Sequence, residues 1–267
     1  MVTVGSLMSL NGRSALVTGA AGHLGKTISE TLAELGCELI LVDLPGTGLD
    51  KICEEYSRKW GVKAEYQECN LEFIEDRKVL STWVLSHYKE LNILINNAAF
   101  VGTTDVEGWN APIQDQSVET WRRAIEVNLT SCFDLCKNLA PLIENSNGGS
   151  IINIGSIYGL YAPDWNLYKD TSMGNPAAYA VSKAGLMQLT KWLATTLAPT
   201  MRVNAISPGG IFRNQDSKFV ERYVAKTPMQ RMATEEDFKG VITFLATDLS
   251  LYVTGQVIQV DGGWGIW

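Results

Sequence analysis

Histidine, paired cysteine motifs and long apolar runs are all scarce in this sequence. The chain has only two histidines, and its five cysteines are an odd number without Cys-x-x-Cys spacing. This pattern argues against a disulfide framework and against a zinc site, so we expect no metal. No apolar stretch reaches the roughly 18 residues of a membrane-spanning helix, and the first residues lack a secretory signal pattern. We therefore expect a cytoplasmic protein without a membrane partner.

Basic residues are too few for a nucleic-acid binder. Lys and Arg number 22 against 29 Asp and Glu, which gives a formal charge of −7. A protein that binds phosphate backbones needs an excess of positive charge, so we expect no nucleic-acid partner. The 46% hydrophobic content is that of a folded protein, and 267 residues suit one α/β domain.

Short apolar runs alternate with segments of helical periodicity. Seven runs predict strands, at 14–19, 38–43, 63–69, 92–97, 150–155, 202–207 and 256–261. Helical periodicity lies between them, at 24–35, 74–90, 118–144, 178–198 and 234–247. The alternation predicts an α/β fold in one domain, residues 1–267, with a doubly wound parallel sheet of about seven strands and helices on both faces.

Two segments interrupt this alternation, and each follows a predicted strand. They cover residues 157–177, which are polar and aromatic, and residues 208–232, which begin Pro208-Gly209-Gly210. Ligands of doubly wound sheets bind beyond the carboxyl ends of the strands. We therefore expect both segments to be substrate loops.

A glycine-rich turn, Thr18-Gly-Ala-Ala-Gly-His-Leu-Gly25, joins the first predicted strand to a helix. Residues without side chains let the main chain approach a pyrophosphate, and the helix N-terminus offers free N–H groups. Asp43 ends the second strand, where a carboxylate can accept the hydroxyls of an adenosine ribose and repels a 2′-phosphate. Leu44 and Pro45 follow it, with no adjacent cation. This favours NAD over NADP.

Several further residues complete a recognisable set. Tyr179 and Lys183 share one helical face, Ser156 ends the fifth strand, Asn128 lies in a helical segment, and 96–99 read Asn-Asn-Ala-Ala. With the glycine turn, Ser207-Pro-Gly209 and the Asp261-Gly-Gly263 ending, the sequence resembles the short-chain dehydrogenase/reductase family from residue 11 to 263. The resemblance implies a Rossmann fold and hydride transfer between a nicotinamide and a carbon that carries oxygen.

The resemblance also implies residue roles. Tyr179 would be the general acid/base, Lys183 would favour its phenolate and hold the nicotinamide ribose, Ser156 would polarise the reacting oxygen, and Asn128 would anchor a water. Cofactor binding would fall to the glycine turn, the strand ends and the catalytic helix: Gly19, Gly22, His23, Leu24, Gly25, Asp43, Asn70, Leu71, Asn97, Ala98, Tyr179, Lys183, Pro208, Gly209 and Ile211.

The sequence departs from the family pattern in three places. His23 stands where the usual turn has a glycine, and Asn70 replaces a common aspartate whose role its carbonyl can keep. Ser156 and Tyr179 are 23 residues apart, roughly ten more than usual. The extra loop carries Trp165 and Tyr168, an aromatic platform that suits a sugar ring; a surface loop or a subunit contact is the alternative.

Details of this loop resemble the branch associated with flagellin modification and legionaminic-type nonulosonic sugar biosynthesis. They are Ala162-Pro-Asp164, Ser172-Met-Gly-Asn-Pro176 and Asn214-Gln215. Residues 211–232 hold five Lys and Arg against two acidic residues, so a lid of charge +3 would attract an anionic sugar phosphate or nucleotide sugar; a merely solvated lid is the alternative. Arg213 is the preferred substrate contact because it follows the Pro208-Gly209 turn.

The sequence therefore predicts an NAD(H)-dependent oxidoreductase of a secondary alcohol or ketone in a polar sugar, sugar phosphate or nucleotide sugar. The alternatives are a 3-oxoacyl-carrier-protein reductase, a small polyol dehydrogenase, and a non-catalytic nucleotide sensor, which would lack Tyr179 or Lys183. The resemblance implies a homotetramer, with a homodimer as the alternative. We expect the C-terminal tryptophans, Trp264 and Trp267, to pack at a subunit interface.

Overall fold

A computed structural model describes residues 2–100, 106–146 and 148–267. Residues 1, 101–105 and 147 of the predicted domain lie outside the described residues. Seven parallel strands form one sheet in the order β3-β2-β1-β4-β5-β6-β7. Their bounds are β1 Ser14–Thr18, β2 Glu38–Asp43, β3 Ala64–Glu68, β4 Ile93–Asn96, β5 Gly149–Ile154, β6 Met201–Pro208 and β7 Val257–Val260. The predicted α/β fold is confirmed.

Helices cover both faces of the sheet. They are α1 Val4–Met8, α2 His23–Glu34, α3 Leu49–Trp60, α4 Ile74–His87, α5 Val118–Ile125, α6 Ser131–Glu144, α7 Ala177–Leu197, α8 Ser217–Lys226 and α9 Lys239–Ala246. One apolar cluster joins one sheet face to α2, α3 and α9, and a second joins the other face to α4, α6 and α7. Burial on both faces explains why most strand sequences are continuously apolar.

The strand order reverses between β1 and β4, which lie side by side although β2 and β3 separate them in sequence. Leu16 of β1 pairs with Ile40 of β2 on one side and with Leu94 of β4 on the other. A reversal of this kind leaves a crevice at the carboxyl ends of the strands, because the following connections diverge to opposite faces. The predicted functional residues lie at this edge.

The predicted helix 118–144 is interrupted. A π-helical turn at Glu126–Thr130 separates α5 from α6. Arg77 of α4 lies against this turn, and its guanidinium donates to Glu126 at 2.7 Å and to Asp134 at 2.9 Å. A hydrophobic pattern cannot reveal one additional residue in a turn, so the sequence predicted a continuous helix.

Helix α3 was absent from the sequence-based prediction. Its buried residues, Leu49, Ile52, Cys53 and Tyr56, follow the helical spacing i, i+3, i+4, i+7. The remainder of the helix is largely charged, which lowers its mean hydropathy and hides the pattern. A search for spacing alone could have found it.

The C-terminus corrects one expectation. Trp264 is buried within its own chain, where it stacks on Tyr223 with a ring-centroid distance of 5.9 Å. Its predicted place at a subunit interface is therefore wrong, because the lid already covers it. Trp267 is exposed, and its interface role remains a prediction. Within the described ranges, no helix is both long enough and apolar enough to cross a bilayer.

Candidate active site

The glycine turn brings the main chain of β1 and α2 close together. A Cβ atom on Gly25 would lie 2.0 Å from the Gly19 carbonyl oxygen, so this contact requires glycine. Gly19 has φ +65°, in the left-handed region, and faces Asn97 and Ala98. No side chain caps the N-terminus of α2. Its free N–H groups and the absence of side chains at these positions fit a bound pyrophosphate.

Asp43 is fixed at the end of β2. Its two carboxylate oxygens accept hydrogen bonds from the main-chain N–H groups of Ala21 and Leu44, each at 2.8 Å. Asn70 is ordered in a similar way, since its side-chain oxygen accepts from the Glu72 N–H at 3.0 Å. The side chains of Asp43, at the end of β2, and Asn70, after β3, are therefore held in place at one side of the crevice.

All residues predicted to bind the cofactor line a single cavity of about 800 Å³. It runs from the glycine turn, past Asp43 and Asn70, to Tyr179 and Lys183. His23 lies at its exposed edge, as the first residue of α2. Two described arginines also line it, and a carboxylate pairs with each: Glu72 with Arg123 at 2.6 Å and Glu235 with Arg213 at 3.1 Å.

The side chains predicted to be catalytic lie just after β5 and on α7. Ser156 follows the end of β5 and is buried, while Tyr179 and Lys183 lie one turn apart on α7. The Lys183 Nζ donates to the Ile154 carbonyl at 2.8 Å and lies 5.9 Å from the centre of the Tyr179 ring. The structure thus brings the predicted Ser, Tyr and Lys to one end of the cavity.

Asn128 is wholly buried in the π-helical turn. Its Oδ1 accepts from the Phe100 N–H at 2.6 Å, and its Nδ2 donates to Ser182 at 2.9 Å. The amide thus links the segment after β4 to α7, next to Lys183. It does not line the large cavity, and its predicted water-binding role remains a prediction.

Burial shifts the pKa of both Tyr179 and Lys183. Burial raises the pKa of Tyr179, whereas the Ser156 hydroxyl and the charge of Arg213 lower it. The resemblance implies that Lys183 also favours the phenolate, and its Nζ lies 5.9 Å from the centre of the Tyr179 ring. That role of Lys183 remains a prediction. Burial lowers the pKa of Lys183 to about 8. Both groups therefore depend on a water-poor setting, as expected at a catalytic site.

A second cavity, which we call the substrate cavity, has a volume of about 520 Å³. It meets the first at shared residues that include Ser156 and Tyr179. Aromatic rings, amides and methionines contributed by both substrate loops and the 109–110 segment form most of its wall. Five of these residues fall within the two predicted substrate loops, although their contact with a cavity was not predicted one by one: Tyr158, Asn175, Gln215, Phe219 and Tyr223. Trp109 and Asn110 lie outside both loops, and no local motif identified them.

The three predicted substrate residues lie in different places. Tyr168 is buried in the substrate cavity, and its hydroxyl forms a hydrogen bond with that of Tyr158. Trp165, in the short 3-10 turn Trp165–Leu167, is 61% exposed and lines neither cavity, so its substrate contact remains a prediction. Arg213 lines the larger cavity only.

The predicted positive lid is largely neutralised. Arg213, Lys226 and Arg231 pair with Glu235, Asp164 and Asp237. Arg222 instead donates to main-chain carbonyls of the 166–169 loop. Since all three carboxylates lie outside residues 211–232, a count over that segment alone overstated its charge. The positive charge of the lid therefore no longer supports the expectation that it attracts an anionic substrate.

Comparisons with known proteins show the family to which the chain belongs. A family model described as enoyl-(acyl carrier protein) reductase matches residues 19–265. A 3-oxoacyl-(acyl-carrier-protein) reductase FabG of Thermotoga maritima is 34% identical, over 96% of this chain and 99% of the relative. The post-translational flagellin modification protein A of Campylobacter coli is 28% identical, over 96% of this chain and all of the relative.

Solved structures give the same result. A short chain dehydrogenase from Leptospira borgpetersenii with bound NAD+ has a TM-score of 0.84 and 32% identity, covering 99% of this chain and 97% of the other. L-sorbose reductase from Gluconobacter frateurii, complexed with NADPH and L-sorbose, has a TM-score of 0.84 and 25% identity, covering 97% and 98%.

Fold and site together define an oxidoreductase with a dinucleotide cofactor, NAD or NADP, that acts on CH–OH or keto groups. The chain belongs to the short-chain dehydrogenase/reductase family. The relatives differ in substrate and the solved structures in cofactor, so these two properties rest on the site itself.

Proposed function

We propose that the protein is an NAD(H)-dependent dehydrogenase/reductase of a secondary alcohol or ketone in a polar, sugar-like substrate. The observation that carries this proposal is the junction of the two cavities at Ser156 and Tyr179. A substrate that fills the smaller cavity presents its reacting oxygen to these hydroxyls, at the end of the larger one.

The glycine turn would hold the pyrophosphate of the cofactor, Asp43 its adenosine ribose, and Lys183 its nicotinamide ribose. When bound, the cofactor supplies the site that accepts or donates the hydride. Tyr179 accepts the hydroxyl proton during oxidation and returns it during reduction. Ser156 donates a hydrogen bond to the same substrate oxygen and so orients it for that transfer.

Asp43 supports the choice of NAD. Two main-chain N–H groups hold its carboxylate in place, and this negative charge would repel the 2′-phosphate of NADP. The arginines of the cavity are already paired with Glu72 and Glu235, so neither is free to compensate that repulsion.

Replacing Asp43 with serine tests this preference. Fluorescence titration should show that the unmodified protein binds NADH more tightly than NADPH. Asp43→Ser should narrow the ratio of the NADPH to the NADH dissociation constant by about tenfold or more. The variant loses the repulsion between the Asp43 carboxylate and the 2′-phosphate, worth about 1.4 kcal/mol or more. Asp50→Ser, an exposed position on α3, is the matched control and should keep the ratio. Equal affinity of the unmodified protein for both cofactors contradicts the proposal.

A 3-oxoacyl-carrier-protein reductase is the second candidate, favoured by the 34% identity to such an enzyme. Three lid cations that could contact an acidic carrier protein are already paired. The similarity to a flagellin modification protein additionally supports a sugar-like substrate, and we keep a role in legionaminic-type sugar biosynthesis as part of this proposal. Turnover of a 3-oxoacyl thioester faster than of any sugar or polyol would favour the second candidate.

We propose that the chain forms a homotetramer or a homodimer. Apolar side chains stand exposed on neighbouring helices, among them Trp121 of α5, Phe133 of α6 and Trp192 of α7. Patches of this kind on a folded chain commonly mark subunit contacts.

A further inference from the structure

The described lining of the substrate cavity carries no charged side chain. Among the described residues that form its wall, none is Asp, Glu, Lys, Arg or His. Burial of a phosphate or carboxylate in such a wall, without a counter-charge, is strongly unfavourable. An uncharged ligand is therefore favoured.

Most polar groups of this wall already have partners. The hydroxyls of Tyr158 and Tyr168 bind each other, and the Tyr223 hydroxyl accepts from the Gly210 N–H at 2.6 Å. The Gln215 amide accepts from the Arg213 N–H and donates to the Ile211 carbonyl, each at 2.7 Å. These groups shape the cavity and offer little new hydrogen bonding to a ligand.

Two buried groups of the wall are exceptions. Trp109 is 3% exposed and Asn175 is 7% exposed, and neither the indole Nε1 nor the Asn175 Oδ1 has a partner among the described residues. One is a donor and the other an acceptor. A buried polar atom without a partner costs about 1–3 kcal/mol, so two around one cavity point to a ligand that satisfies them.

The two groups belong to segments that are fixed against each other. Asn110 donates from Nδ2 to the Ser172 carbonyl at 2.8 Å, and a Cβ on Gly174 would lie 2.2 Å from the Asn110 Oδ1. The Ala177 N–H also donates to the Gln116 side chain at 3.2 Å. The residues next to Trp109 and Asn175 in the chain are thus in contact, and both side chains are held before a ligand arrives.

We infer that the substrate cavity takes an uncharged, polyhydroxylated molecule, and that Trp109 and Asn175 bind hydroxyls of it away from the reacting carbon. A hydroxyl matches this pair because it can accept from the indole and donate to the amide oxygen. The aromatic walls contact the C–H face of such a molecule. This inference rests on the proposed function, replaces the anionic substrates expected from the sequence with neutral ones, and makes Trp109 and Asn175 specificity-determining residues.

Matched cyclic alcohols test the inference. The probes are cyclohexanol, cyclohexane-1,4-diol, myo-inositol and myo-inositol 1-phosphate. Each is titrated into the protein–NADH complex, with NADH fluorescence as the readout, and then assayed for NAD reduction. Myo-inositol should bind more tightly than its phosphate. The diol should bind about 5- to 150-fold more tightly than cyclohexanol, the ratio that corresponds to about 1–3 kcal/mol.

The variants separate recognition from chemistry. Asn175→Ala and Trp109→Phe should each remove much of the preference for the diol, while cyclohexanol and NADH binding change little. Asn166→Ala changes an exposed asparagine of the same loop that lines neither cavity, and it should keep the preference.

Three results would overturn the inference: tighter binding of the phosphate than of myo-inositol, an unchanged diol preference in both variants, or no binding of any neutral probe to a protein that binds NADH. Failure of the protein to bind NADH at all would instead overturn the proposed function. The two failures are therefore distinguishable.

Discussion

The pKa of Tyr179 reflects opposing influences from its surroundings. Burial raises it, and both the Ser156 hydroxyl and the Arg213 charge lower it. A free tyrosine titrates near 10, so proton exchange close to neutral pH depends on the lowering influences. Of these two influences, the Arg213 charge can be removed while the Ser156 hydroxyl stays in place. The ion pair between Arg213 and Glu235 weakens the effect of that charge on Tyr179.

Replacing Arg213 with glutamine should raise the pKa of Tyr179, because a positive charge no longer favours the phenolate. Alcohol oxidation needs the deprotonated form as the proton acceptor. The pH at which kcat/KM is half-maximal should therefore rise, by about 0.3–1 pH unit for a partly screened charge. The pH profile of NAD reduction measures this shift.

Two controls accompany that profile. Lys218→Gln removes the same charge from an exposed position of α8 that lines neither cavity, and should leave the profile unchanged. Tyr179→Phe should lower kcat by about 10²–10⁴-fold with NADH affinity retained. If Arg213→Gln titrates like the unmodified enzyme, Arg213 does not act on Tyr179.

Among the structural elements, those with a strong repeating pattern could be predicted from sequence. The strand segments predicted from sequence, most of them continuously apolar, agree with all seven strands to within about two residues, and the glycine turn with the Tyr179–Lys183 pair located the larger cavity. The two substrate loops could be predicted from sequence, but the residues that form the wall of the substrate cavity could not, because Trp109, Asn175 and Tyr223 meet only through tertiary packing. The π-helical turn was missed for a similar reason: Arg77, which contacts it, lies about 50 residues earlier in the chain.

Arg77 is the residue on which the π-helical turn should depend most. Its buried guanidinium binds Glu126, Asp134 and the Leu71 carbonyl. Arg77→Met leaves both carboxylates without their partner and should lower the free energy of unfolding by about 2–4 kcal/mol, somewhat less than for a wholly buried pair. Chemical denaturation measures the change.

The matched variant Arg122→Met breaks an exposed ion pair with Glu119 on α5 and should cost at most about 1 kcal/mol. Loss of activity in Arg77→Met, at a temperature where the variant is folded, would also indicate that activity depends on the turn that holds Asn128 against Ser182 of α7. Equal stability of the two variants would mean that the network around Arg77 contributes nothing measurable.

For the whole molecule, charge and cavity agree. The chain carries −7, the lid cations are paired, and the described wall of the substrate cavity is uncharged. A net negative charge gives an anionic substrate no long-range attraction. Neither the net charge of the chain nor the described wall of the cavity therefore favours an anionic substrate.

Assembly is the property of the whole molecule most open to a direct test. Phe133 of α6 is 44% exposed, and Trp121 and Val118 of neighbouring α5 are exposed as well. If these side chains lie between subunits, Phe133→Glu buries a charge in an apolar contact and should shift sedimentation toward smaller species. Val79→Glu, on the exposed side of α4, is the matched control and should leave assembly intact. An unmodified protein that sediments as a single 29.3 kDa chain would show that these side chains are exposed in solution.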